Sequence, residues 1–145
     1  MNFLDSMAIS ASGLSAQRLR MNLIASNMAN ANTTRTANGE PYKRKDVVFE
    51  AVQDGDFKGV LDGKLNEAAG GVKVARIVED NKPFVKKYDP GNPDADKNGY
   101  VRLPNINIVE EMVNMISASR SFEANATAIH ATKDMANVAL DIGKS

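Results

Sequence analysis

The residues with the clearest potential for chemistry form a short acidic run, Asp94-Ala95-Asp96-Lys97-Asn98-Gly99. Oxygen ligands at alternate positions followed by a turning glycine match the first half of a calcium-binding loop. The second half departs from that pattern. Arg102 would set a cation beside the metal, and Asn105 stands where a bidentate glutamate is needed. Pro90 and Pro93 lie where a preceding helix would run. Asx-rich turns produce the same spacing, so the run reads as a structural turn, with a calcium-dependent binding module as a rival. His130 is the only histidine and cysteine is absent, which removes thiol catalysis and thiolate metal sites and leaves the imidazole without a ligand set or dyad. No serine sits in a Gly-x-Ser-x-Gly elbow, and no glycine-rich phosphate loop occurs. Glu110 and Glu111 are adjacent at the start of a helical pattern, where the helix dipole favours them. No catalytic set stands out, and neither an enzyme nor a cofactor is expected.

Composition narrows the partners. The 145 residues carry 18 basic and 18 acidic side chains, which gives no electrostatic case for nucleic acid or an anionic membrane surface. Aromatic residues make up 6% of the chain and tryptophan is absent, so a core built on aromatics is not expected. No stretch has the apolar length of a membrane span. Met1-Asn2-Phe3-Leu4-Asp5 has neither a basic leader nor an apolar core, so a cleaved Sec-type signal is not expected and export would need another route.

The strongest pattern is helical and lies at both ends. Met7, Leu14, Met21 and Met28 recur every seven residues. Ile108, Met115, Phe122, Ile129 and Ala136 do the same, with Met112, Ala126 and Leu140 on an adjacent row. At 3.6 residues per turn this spacing keeps one stripe against one partner. The first helix is predicted from Asn2 or Phe3 to about Asn30, where Asn30-Ala31-Asn32-Thr33-Thr34 should end it. Gly13 inside it implies close packing or a local weakness. The second is predicted to open at Pro104-Asn105 and to run to about Ile142, with Gly143 as its stop. From Ser6 to Thr34 the only charged residues are Arg18 and Arg20; the remaining flanks are small and neutral. A helix with one face in water carries a charged face, so this one is expected to be contacted on several sides. Two cations are too few for an interfacial membrane anchor, the second rival reading.

The middle reads as strands and turns. Val47 to Val52 is strand-like, and 54–69 reads as a mobile insertion rich in glycine, aspartate and lysine. Val72 to Val78 is predicted to pair with Phe84 to Tyr88 across Asp80-Asn81-Lys82-Pro83, with Tyr100 to Leu103 as a last short strand. The chain is therefore expected to be α+β: a terminal helical core from 1–34 and 105–145, forming an antiparallel coiled-coil-like pair, and a β-rich middle domain from 35–104.

Ala11-Ser12-Gly13-Leu14-Ser15-Ala16-Gln17-Arg18, followed by Asn22-Leu23-Ile24-Ala25-Ser26-Asn27-Met28-Ala29-Asn30-Ala31-Asn32-Thr33, closely resembles the N-terminal signature of bacterial flagellar axial proteins, the rod, hook and hook-associated subunits. Glu111-Met112-Val113 and Ala118-Ser119-Arg120-Ser121-Phe122-Glu123-Ala124-Asn125 resemble that family's other terminal signature. The turn from Thr33 to Lys45 is longer than in most axial proteins. It resembles the proximal rod branch, as do Gly70 to Val74 and the segment from Tyr88 to Val101. The resemblance implies a structural subunit of the proximal rod that assembles through its terminal helices into the torque-transmitting shaft. It implies export, uncleaved, by the flagellar type III apparatus, residence in the rod across the periplasm, and contacts with itself, other rod subunits and basal-body ring or adaptor proteins. Nucleic acid and direct membrane insertion are not implied. The expected interface residues are Met7, Leu14, Met21, Met28, Ile108, Met112, Met115, Phe122 and Ile129. The family-motif residues are Ser26, Asn27, Asn30, Asn32, Glu111, Arg120 and Asn125.

Overall fold

A computed structural model of the chain describes residues 3–52 and 70–143; the insertion expected at 54–69 lies outside the described residues. In chain order the elements are α1 (Phe3–Ala29), β1 (Lys45–Val52), β2 (Gly71–Glu79), β3 (Val85–Tyr88), β4 (Tyr100–Leu103) and α2 (Ile108–Ile142). α1 ends where the asparagines begin. Asn30 Nδ2 donates back to the Ser26 carbonyl at 2.8 Å, and its Oδ1 accepts from Thr33 Oγ1 at 3.2 Å. The Ser26 carbonyl also accepts from the Asn30 amide at 3.0 Å, so the asparagine side chain competes with the backbone at the last turn. α2 starts on an asparagine cap: Asn107 Oδ1 accepts from the amides of Val109 and Glu110 at 3.0 and 3.4 Å. It ends at Gly143, whose amide donates to the Ala139 carbonyl.

The two helices pack antiparallel. Asn27 meets Glu111, and Gly13 lies against Asn125. These contacts are fourteen residues apart on each helix, so one register holds over roughly 21 Å. Position 3 then falls opposite position 135, and the last turns of α2 run past the start of α1.

The middle is two separate two-stranded ribbons. β1 pairs with β2 from Lys45–Glu79 to Val52–Gly71, with a bulge at Val48/Phe49, and β3 pairs with β4 from Val85–Leu103 to Tyr88–Tyr100. The expected pairing of Val72–Val78 with Phe84–Tyr88 is therefore not made. β1 offers β2 a longer ladder, including the cross-strand pairs Val47–Ile77 and Phe49–Val74 that a four-residue partner cannot supply. Asp80 Oδ1 accepts from the Lys82 amide at 3.0 Å and turns the chain away. The β1–β2 ribbon docks on α1, where Ser12 Oγ accepts from the Val72 amide at 3.0 Å.

The core is thin. Apart from Pro41 and Pro104, the buried apolar residues among those described are Ala16, Ile24, Ala31, Val101 and Ala118. No helix among the described residues is long and apolar enough to cross a membrane.

Candidate assembly interface

The side chains enclosed between the helices are smaller and more polar than the methionine stripe. On α1 they are Ala16, Ile24 and Asn27; on α2 they are Glu111 and Ala118. Met7, Leu14, Met21 and Met28 are half-buried, as are Met115, Phe122 and Ile129. Ile108 and Met112 are 44% and 50% exposed, so neither is held within the helix pair. The row beside Met115, Phe122, Ile129 and Ala136 is Glu111, Ala118, Asn125 and Thr132, where the sequence pattern pointed to Met112, Ala126 and Leu140. The companion row thus lies about 60° to one side of the Met115 row instead of about 40° to the other, which turns the seam by about 50°. The rotation follows the partners: Glu111 has an amide and a guanidinium to receive it, and Gly13 leaves room for Asn125.

At one end of the seam lies a closed polar cluster. Asn27 is 0% exposed and Glu111 1% exposed. Asn27 Nδ2 donates to Glu111 Oε2 at 3.0 Å and to the Lys45 carbonyl at 2.8 Å. Its Oδ1 accepts from the Lys45 amide at 2.9 Å and from Tyr42 Oη at 3.1 Å. Arg44 Nε donates to Glu111 Oε1 at 2.8 Å, and Nη1 donates to Asp46 Oδ2 at 3.0 Å. Burial by itself would lower the Arg44 pKa. The hydrogen bonds to Glu111 and Asp46 outweigh it and raise the pKa above its ordinary value, so the guanidinium stays charged. No buried side-chain nitrogen or oxygen of the cluster lacks a partner, the condition under which a buried charge is tolerated. Arg44, Tyr42 and the Lys45 backbone were not picked out from the sequence. The one pointer in the sequence is Glu111 as a family-motif residue; that it faces inward, and so requires a cation, follows only from the folded chain.

The other motif residues divide by exposure. Ser26 Oγ lies 3.3 Å from Tyr42 Oη, and Asn30 finishes α1 as described. Asn125 Nδ2 donates to the Ser121 carbonyl at 2.8 Å, laying its amide over Gly13, where an added Cβ would sit 3.0–3.1 Å from it. Asn32 and Arg120 are exposed. The acidic run folds as a turn. Asp96 Oδ1 accepts from the amides of Asn98 and Tyr100 at 2.8 and 3.0 Å, and Asp94 Oδ2 accepts from Thr34 Oγ1 at 2.6 Å. Those backbone donors, Tyr100 first and then Asn98, hold the Asp96 carboxyl below its ordinary pKa.

Outside the seam α2 is apolar on a second face. Val109, Met112, Val113 and Ile116 are each at least half exposed, and further along Met135, Val138 and Ile142 are too. A thin core, a seam with polar keys and an outward apolar helix face describe a subunit made to be packed against others. Two family models agree with that class: "Flagella basal body rod protein" matches residues 7–35, and "Flagellar basal body rod FlgEFG protein C-terminal" matches residues 97–142. The flagellar basal-body rod protein FlgC of Borreliella burgdorferi is 46% identical, with 98% of each chain covered. Those of Bacillus subtilis and Salmonella typhimurium are 45% and 42% identical, each covering 99% of this chain and 100% of the relative. The chain belongs to the FlgC family of flagellar basal-body rod proteins, and its role is that of a structural rod subunit.

Proposed function

We propose that the chain builds the proximal rod by packing the outward face of α2 against neighbouring rod subunits, its own copies and others, to form the shaft that transmits torque. The observation that carries this reading is the imbalance between core and surface. Four large apolar side chains on adjacent turns of α2, Val109, Met112, Val113 and Ile116, face solvent, while the described core encloses only five apolar residues other than proline. They are still 50–68% exposed, so covering what remains of each is worth about 1–2 kcal/mol, which assembly would supply and the isolated chain forgoes. The terminal segments 1–34 and 105–145 form the packed shaft in this reading, and 35–104 carries the ribbons that contact neighbouring subunits and basal-body ring or adaptor proteins. Met7, Leu14, Met21, Met28, Met115, Phe122 and Ile129 support the helix pair from its half-buried flanks; Ile108 and Met112 belong to the outward face. The work is mechanical and not catalytic: Glu111, Asp94 and Asp96 are committed to structural hydrogen bonds. Delivery is by the flagellar type III apparatus to a rod that crosses the periplasm.

The test is Val113→Glu, at a position 61% exposed in the single chain. The variant should keep the far-ultraviolet circular dichroism of the parent while isolated basal bodies lack it and cells fail to swarm. Lys97→Glu, in the Asp96 turn, should swarm normally. Normal swarming with Val113→Glu would overturn the proposed face.

A further inference from the structure

The apolar stripe of the seam repeats every seven residues, so it cannot by itself choose between one register and the next. Sliding α2 by one heptad, about 10.5 Å, would set Met115 near Ala16 and Phe122 near Ile9, apolar against apolar. It would set Ala118 against Gly13, small against small. The same slide brings Glu111 opposite Arg20. Arg20 is half-buried, lines a polar cavity of about 300 Å³ together with Glu111 and Arg44, and makes no ion pair among the described residues. The slipped pair would thus keep its apolar contacts and find a cation for its buried carboxylate. A slide the other way carries Glu111 opposite Thr34, beyond the end of α1, where the neighbouring cation, Arg35, already faces Asp94 at 3.9 Å.

What distinguishes the observed register is anchored outside the helices. Asn27 is tied by two hydrogen bonds to the Lys45 backbone at the start of β1, and Arg44, one residue earlier, reaches Glu111. We infer that Asn27 and Arg44 are specificity-determining residues that hold Glu111 in the observed register, with Arg20 as the alternative partner one heptad away. The helix seam is thereby read against the start of the β region, and the ends of the chain pair correctly only when the middle is in place. Buried polar groups that choose a register among near-equal apolar pairings are the best-attested use of such groups.

The chain contains no cysteine, so engineered pairs report register directly. Gly13→Cys with Asn125→Cys reads the observed register. Gly13→Cys with Ala118→Cys, made with Asn125→Ala so that position 13 is unobstructed, reads the slipped one. In the observed register positions 13 and 118 are seven residues out of step, too far for a disulfide. Effective concentrations are measured in the full-length chain by equilibration with glutathione. The 13–125 pair should exceed the 13–118 pair at least roughly tenfold. Asn27→Leu with Arg44→Met should raise the 13–118 value about tenfold, and adding Arg20→Gln should return it to its starting level. An unchanged 13–118 value, or a rise indifferent to Arg20→Gln, overturns the inference. If both pairs fall because the double variant unfolds, Asn27→Ser decides: a rise of about threefold at 13–118 supports the register role, and no rise overturns it.

Discussion

Asn27→Ala removes the side chain that joins three parts of the molecule, and its cost follows from the groups it strands. Four hydrogen bonds are lost at once. Tyr42 Oη keeps Ser26 Oγ at 3.3 Å, and the Glu111 carboxylate keeps Arg44 at 2.8 Å on Oε1 while its Oε2 loses its donor, so neither group is wholly stranded. The Lys45 amide and carbonyl lose theirs, beside a site that is 0% exposed. An unsatisfied buried group costs about 1–3 kcal/mol, so two of them with the accompanying void come to about 3–5 kcal/mol. That is a large part of the 5–15 kcal/mol typical of a domain. In urea, with a slope of about 2 kcal/mol/M, the midpoint should fall by about 1.5–2.5 M at an unchanged slope. A fall of less than about 0.5 M would refute the accounting. Asn27→Asp sharpens the test because it preserves shape. At neutral pH it sets a second carboxylate about 3 Å from that of Glu111 and replaces a donor to the Lys45 carbonyl with an oxygen, so it should be as damaging as alanine. Like charges raise the native pKa of such a pair above its unfolded value. The variant should therefore regain stability as pH falls through that raised value, whereas Asn27→Ala should not.

Gly13→Ala should gain about 1 kcal/mol of helix propensity but drive its methyl group against the Asn125 amide, which is held on Ser121. Its thermal midpoint should not rise, while the Gly13→Ala/Asn125→Ala pair should exceed Asn125→Ala alone. Calorimetric titration with calcium should show binding no tighter than millimolar, because the carboxylates of Asp94 and Asp96 are engaged by Thr34, Asn98 and Tyr100. The Asp96 carboxyl is held low, so the support it lends its turn is present above the ordinary aspartate range and is lost as pH falls through its depressed value. The near-ultraviolet signal of the edge-on Tyr88–Tyr100 pair, whose centroids lie 5.3 Å apart, should stay flat from neutral pH down to that range and change below it. Asp96→Asn should abolish the change.

Neighbouring residues dictate where the elements begin and end. Asparagines that compete for backbone groups end α1, Asn107 caps α2 two residues beyond the expected Pro104-Asn105 start, and valine-rich runs make β1 and β2 strands; each outcome depends on residues a few positions apart. The heptads also made two helices that pair, because a stripe of that period buries only against another helix. Which rows meet was decided by the tertiary structure. Hydrophobicity favours Met112 for the inner row, but Glu111 takes that side because Asn27 and Arg44, 84 and 67 residues away in the chain, converge on it. Strand pairing was decided the same way: β2 joins β1, distant in the chain, because that ladder is longer and better matched than the neighbouring one. A carboxylate becomes an inward residue only when its partners arrive, and a strand joins the best edge within reach. Neither partner nor edge exists until the chain has folded back on itself.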